Sequence, residues 1–420
     1  MKVEEQLFDA CKDGNVQQVQ QLLNNNSNIN VCYRNINDQT SFWIACSNGH
    51  IGIVKLFLQD ERVTNGLINQ VDYLQRTPFY IACERRHIEI VKVLSSDERV
   101  DIIKPSRGQT PFYVACNTGH TKIVELLLND ERVDINQADN DGFTPFYRAC
   151  QKGNIEIVEL LLNDKRVDVN QADHQLGQTP LYIACSKGHI EIVKLLLNDK
   201  RVDINKPNKY LSETPFHRAC FNGYIDIVKL LLNDQRVDIN RGDNGEETPF
   251  YIVCEKGHIE IVKLLFNDDR VDVNKTDREG ATPFYIACQE GHIEIVKLLL
   301  NDNRVDINKA NNDGVTPFGI VCNNGYIDIA KLLIVSEKEL TLSGQALINM
   351  ERIRKEIKKE GRESEEEFQL RFKNYENVIE LLESFKRSPT ETRFKLRLQF
   401  GFIGKQFHFF NFFQFYFILI

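Results

Sequence analysis

Cysteine and histidine are the residues of this chain best suited to chemistry, and both recur at fixed spacing. Cys46, Cys83, Cys116, Cys150, Cys185, Cys220, Cys254, Cys288 and Cys322 each stand six residues after a threonine, and Cys11 takes the matching place in a degenerate first unit. A thiolate is a nucleophile and a soft metal ligand, so thiols held in register raise the questions of redox chemistry and metal binding. His-Ile-Glu triplets at His87, His189, His258 and His292 look like half of a zinc deaminase signature, but the Cys pair that must complete it is absent. No HExxH, CxxC, P-loop GK[ST] or GxSxG occurs. Single-site chemistry should single out one residue, and every cysteine here sits in the same phrase. The expectation is therefore no catalytic residue, no cofactor site and no metal site.

That phrase returns about every 34 residues, which is the mark of a repeat array. Its threonines are Thr40, Thr77, Thr110, Thr144, Thr179, Thr214, Thr248, Thr282 and Thr316. Threonine is a good N-cap, and the proline that follows sits at the first helical position, where a missing N–H does no harm. A short apolar helix (FYIAC) then runs to a glycine able to end it, as at Gly119, Gly188, Gly257 and Gly291. A second helix follows, HIEIVKLLLND, in which Ile259, Val262 and Leu265 share a face that Ile261 and Leu264 widen. Glu260 and Lys263 stand three apart in the favourable order, as do Glu191 and Lys194, and Glu294 and Lys297. An Asn-Asp turn and an extended RVDIN segment lead into a polar loop before the next Thr-Pro.

Helix, turn, helix and protruding hairpin, opened by TPxxxA and followed by a GH-type turn and VDIN, resemble the ankyrin repeat. The resemblance covers residues 40–335 as nine units. Tyr80, Tyr113, Tyr147, Tyr182, Tyr251 and Tyr285 stand where that family usually carries His, which only His217 keeps; Ser41 replaces the proline in the first unit and Gly319 the aromatic in the ninth. The resemblance implies an all-α solenoid of stacked helix-turn-helix units with short β-hairpin fingers. Asn136, Asn170, Asn205, Asn240, Asn274 and Asn308 match asparagines that an asparaginyl hydroxylase modifies in that family, and they also suit a turn into the hairpin. Stacked helices lie roughly 8–10 Å apart, whereas a disulfide needs alpha carbons within about 7 Å. The thiols read as buried, reduced hydrophobes in a cytoplasmic protein.

Four segments are expected: a capping repeat and first finger (1–39), nine repeats (40–339), a charged insertion with a capping helix (340–390), and a Phe-rich tail (391–420). Gln18 and Gln21 replace residues that inner units bury, and Glu376 and Glu383 do so in YENVIELLES (375–384); terminal repeats need such polar faces. Three readings fit residues 400–420: a gene-model extension in AT-rich codons, a crude cap on the last repeat, or a membrane tail anchor. Lys405, His408, Asn411 and Gln414 interrupt its apolar run, which is shorter than the ~20 residues of a spanning helix. A net charge of −8 argues against nucleic acid, which rewards dense Lys and Arg.

The irregular positions point to a binding surface. From each Thr to the Arg of RVD is always 22 residues, whereas the distance on to the next Thr varies from 11 to 15. Length change is thus expected in the hairpins, and loops on one face of an array often bind. Tyr73 and Leu74, Leu176, and Tyr210 and Leu211 lie in longer fingers, and Phe143 in one of ordinary length. Phe221 is the large aromatic of the stripe before the turn glycine, which the resemblance places in a concave groove. Arg148 and Arg218 replace an apolar residue of the first helix; they are suited to acidic partner groups, or to a neighbouring Tyr or local carboxylate. These residues make a non-catalytic, monomeric scaffold or adaptor with a protein partner the expected function. A membrane-tethered scaffold anchored through 400–420 is the alternative.

Overall fold

The computed structural model describes residues 2–336 and, nearer the C-terminus, residues 377, 380–381, 383–384 and 387–399. The charged stretch 340–372 and the 400–420 tail lie outside the described residues. Among the described residues the regular elements are 22 helices, with two isolated bridges, Arg34 with Thr40 and Ser106 with Gln109. No described helix is long and apolar enough to cross a membrane. The chain divides into two compact units, Met1–Ala219 with Asn233–Val237, and Cys220–Leu232 with Asp238–Ile420. Each is an all-α stack of helix pairs.

The first unit opens with the pair Val3–Asp13 and Val16–Asn25 and continues through Pro145–Lys152 with Ile155–Leu162 and Pro180–Lys187 with Ile190–Asn198. First helices pack on the first helices of neighbouring repeats, and second helices on second helices. The caps follow the sequence: Thr77, Thr110, Thr144 and Thr179 each accept the backbone N–H three residues on through Oγ1, at 3.0–3.1 Å. Phe79, Phe112 and Phe146 are buried between layers, as are the repeat cysteines. In the second unit, Pro249–Lys256 and Ile259–Phe266 repeat the pattern. The buried seam of the latter is Ile261, Val262 and Leu265, joined by Phe266, while Ile259 and Leu264 are only half-buried. At the far end Pro389–Gln399 packs on Ile327–Val335, with Leu396 buried and Arg393 Nε donating to the Ile334 carbonyl at 3.1 Å. The 390/391 boundary expected from sequence therefore falls inside a docked helix.

Two kinds of polar contact recur between layers. The arginine of RVD forks onto the aspartate two residues before it, and its second nitrogen donates to the last turn of the preceding repeat's second helix. Arg132 reaches the Ser95 carbonyl, Arg166 that of Leu128 and Arg201 that of Leu162, each at 2.8 Å. Arg304 does the same to Phe266 in the second unit. A helix leaves its last carbonyls unpaired and carries partial negative charge there, so a cation meets both needs. Hydrogen bonding to the arginines holds Asp130, Asp164, Asp199 and Asp302's counterpart Asp268 below the usual carboxylate range. The VDxN asparagine supplies the second contact: Asn170 Nδ2 donates to the Arg201 carbonyl at 2.7 Å, and its Oδ1 accepts the Asp203 N–H at 2.8 Å. Asn136 and Asn274 repeat the arrangement.

The fingers are built on side-chain turns more than on strand pairing. One carboxylate or amide at each base accepts successive loop N–H groups: Asp139 takes those of Asp141 and Phe143, and Asp173 those of Gln175, Leu176 and Gln178. Neighbouring fingers are bonded to each other, Tyr73 N–H to the Asn37 carbonyl, His174 to Asp141, and Lys209 to Leu176. They come so close that a Cβ on Gly142 (φ +84°) would lie 2.6 Å from the His174 nitrogen. One expectation about length is corrected. The three extra residues between Arg62 and Thr77 form the short helix Asn65–Ile68, ahead of the asparagine, with Leu67 and Ile68 buried. Asn69 still bonds the next layer at Arg99 and Asp101, so the finger bearing Tyr73 has ordinary length.

Asn170→Ala removes both bonds to the next layer and leaves their backbone partners to water. Thermal unfolding should show a loss of about 1–2 kcal/mol. Glu191→Ala, which breaks the surface pair to Lys194 at 2.7 Å, should change stability by less than about 0.5 kcal/mol. Equal effects would contradict the layer-joining role.

Candidate functional site

The groups best suited to chemistry are structurally occupied. All ten repeat cysteines are buried and form no disulfide, and Cys32 alone is exposed. Burial raises the thiols of nine of them, Cys322 to about 12 and the others at least as far, so they are neutral at ordinary pH and poor nucleophiles. The histidines of the turn contact the preceding repeat through Nε2: His87 the Ser47 carbonyl at 2.8 Å, His189 that of Gln151 at 3.1 Å, and His292 that of Glu255 at 2.8 Å. The following glutamates lie on the surface, where Glu191, Glu260 and Glu294 each pair with a lysine at 2.6–2.7 Å. Among the described residues no group of three His, Cys, Asp or Glu side chains is placed to hold a metal ion.

The finger residues are a different population. In the first unit Tyr73 is 58% exposed, Leu176 44%, Tyr210 73% and Leu211 41%. Leu74 is half-buried. Apolar area of this kind, raised on hydrogen-bonded loops, is held in place before any partner arrives.

Phe143, Arg148 and Arg218 do not project in the same way. Arg148 lies 3.9 Å over the Phe143 ring, donates through Nε to the Tyr113 hydroxyl, and reaches Gln151 at 2.8 Å and Asp139 at 3.3 Å. Phe143 also packs on Tyr147, with ring centroids 5.0 Å apart. Arg218 lies over Tyr182, donates to its hydroxyl at 2.9 Å and to Glu213 at 2.7 Å. Both arginines therefore take the local alternative, an adjacent tyrosine and a buried carboxylate. Arg76, which sequence reasoning passed over, is a third member: it lies over Trp43 and binds Asp72 at 2.8 Å and Glu84 at 3.0 Å. Burial raises the Tyr182 phenol to about 12 and that of Tyr113 further, so both stay neutral. These clusters fasten each finger to the first helices beside it.

In the second unit Phe221 is 38% exposed, with the Lys256 ammonium 4.9 Å from its ring centre. Glu247 has the carboxyl most displaced towards neutrality, raised to about 7 by burial first and then by the charges of Asp243, Glu255 and Asp277. Tyr251 donates to Asp277 at 2.9 Å within the same cluster. The signals in sequence are separate: a polar residue directly before a repeat threonine (Arg76, Gln178, Glu213, Glu247), or an arginine four residues after one (Arg148, Arg218).

Buried thiols give a direct chemical test. Maleimide labelling of the native chain should modify Cys32 alone, and labelling after denaturation should reach all eleven cysteines. Rapid stoichiometric labelling of any repeat cysteine would contradict the inert reading.

Comparison with known families agrees with the geometry. A family model described as ankyrin repeats (3 copies) matches residues 7–105, 96–173, 165–243 and 236–311, and one described as ankyrin repeats (many copies) matches 290–334. No curated protein matches the chain. The stacked helix pairs, the Thr-Pro caps and these matches over most of its length show that the chain belongs to the ankyrin-repeat family.

Proposed function

We propose that this protein is a non-catalytic scaffold or adaptor, a cytoplasmic monomer that captures a partner protein through its hairpin fingers and the groove beside them. Ankyrin repeats are in general protein-interaction modules. One observation carries the assignment of the surface: Tyr73, Leu176, Tyr210 and Leu211 stand exposed on fingers that are hydrogen-bonded to one another. Tyrosine and leucine on a surface already ordered lose little conformational entropy on binding, so more of the contact energy appears as affinity. Leu74 extends the same edge. Phe143, Arg148 and Arg218 act by setting finger position, and Phe221 is a separate candidate on the second unit. Cysteines that form no disulfide, ten of them buried, suit a reducing compartment.

Affinity capture with the full chain, followed by mass spectrometry, would identify the partner. Leu176→Ala, Tyr210→Ala and Leu211→Ala together should then weaken its binding by roughly tenfold or more, the scale of interface hot spots. The matched pair Glu279→Ala and Asp313→Ala, exposed on fingers of the second unit, should leave it within about twofold. Equal losses from both sets would overturn the assignment to these fingers.

A further inference from the structure

The exposed charge on the finger side of the first unit runs against the charge of the whole chain. From the second repeat onward, its first-helix turns and the loop tips between each VDxN position and the next threonine expose Arg85, Arg86, Arg107, Lys152, Lys187 and Lys209. Of the carboxylates on those same segments only Asp141 is exposed, while Asp134, Asp168 and Asp203 are exposed further back, in the RVD segments. The chain as a whole carries −8. The other acids of these segments are taken up internally: Asp139 by Arg148, Glu213 by Arg218, and Glu84 by Arg76. Asp173 is buried and spends its oxygens on loop N–H groups.

None of the six exposed cations is in an ion pair among the described residues, although the arginines of the RVD segments all are. Arg85 bonds only to a backbone carbonyl, that of Ser47. The six share one side of the first unit. The His87, His120 and His189 contacts join successive first-helix ends, and Arg148 ties the finger at Asp139 to Gln151, next to Lys152. The same positions in the second unit expose Glu246, Glu279, Glu290 and Asp313 against Lys256, Arg278 and Lys309. The positive balance is therefore particular to the first unit, which also carries the exposed finger residues.

We infer that the occupant of this surface is an acidic polypeptide segment bearing apolar side chains. The inference rests on the protein-binding reading above and specifies the partner's chemistry. Carboxylates of the segment would face the unpaired cations, and its apolar groups would cover Tyr73, Leu176, Tyr210 and Leu211. Unpaired surface cations steer an acidic partner during encounter and disfavour a basic one. Nucleic acid fits less well. The cations come at about one per layer, roughly 10 Å apart, whereas duplex DNA carries a charge every ~1.7 Å and single strands are held on rows of aromatic platforms.

The test uses the full chain and three fluorescent probes: random poly(Glu,Tyr), random poly(Lys,Tyr) and oligothymidylate. Poly(Glu,Tyr) should bind best, and added salt should weaken it. The triple variant Lys152→Glu, Lys187→Glu, Lys209→Glu should weaken it by roughly tenfold or more. The control Lys122→Glu, Lys165→Glu, Lys200→Glu, also exposed but outside the fingers and first-helix turns, should not. Thermal melting would verify that both triples stay folded. Poly(Lys,Tyr) binding as well as poly(Glu,Tyr), oligothymidylate binding better, or indifference to the first triple would each overturn the inference. A captured partner that is lost on finger alanine substitution yet indifferent to the charge reversal would overturn only the acidic chemistry and leave the protein-binding reading standing.

Discussion

Each repeat leaves the carbonyl end of its second helix open, and the guanidinium of the next RVD segment closes it. That contact, made again by Arg132, Arg166, Arg201 and Arg304, explains why the 22-residue spacing from Thr to Arg never varies. Lengthening a helix by one residue would rotate its terminal carbonyls by about 100° and remove the acceptor from the arginine's reach. The asparagine of VDxN adds a donor and an acceptor across the same junction. Hydrophobic layers alone would tolerate sliding, because burial has no direction. Directed polar contacts at every junction fix one register.

The fingers inherit that register. Because successive layers are held at one spacing, the Lys209 N–H meets the Leu176 carbonyl and the His174 N–H meets that of Asp141. Arg76, Arg148 and Arg218 then fasten alternate fingers to the first helices through tyrosine, tryptophan and buried carboxylates. Buried networks of this kind are strong only when every member is satisfied. Here each guanidinium has at least one carboxylate and one aromatic ring. The same regularity occupies the reactive groups: the repeat thiols are buried, and turn imidazoles and VDxN amides bond the neighbouring layer, as at His189 and Asn170.

Much of this was legible in the sequence because it is local. The Thr-Pro caps and the i,i+3 pairs depend on residues a few positions apart and lie where spacing placed them, whereas the buried stripe is turned so that Ile261 and Phe266 join it and Ile259 does not. Contacts between layers span 30 to 40 residues and escape such reading. Nothing local tells that the Arg201 side chain serves a carbonyl of the previous repeat, or that Asp139 gathers the finger above it. The extra residues after Arg62 were read as a longer finger because counting from Thr to Thr cannot say which side of Asn69 they fall on. For Arg148 and Arg218 the sequence leaves partner carboxylates, a neighbouring Tyr and a local carboxylate all open, because it does not show how the loops that hold Asp139 and Glu213 fold back. Tyr210, Leu176 and Tyr73 stand out in the sequence because they break the repeat, and in the structure they are exposed on the fingers.

On the proposed function, the partner meets a prefixed finger ladder and not the helical layers. Hydrogen exchange by mass spectrometry, on the free chain and on the captured complex, addresses both halves. In the free chain the finger amides of Tyr73, His174 and Lys209 should exchange slowly, like helical amides, and on binding new protection should fall on 72–76, 173–178 and 208–213. Fast exchange of those amides in the free chain, or new protection confined to the second helices, would contradict the account.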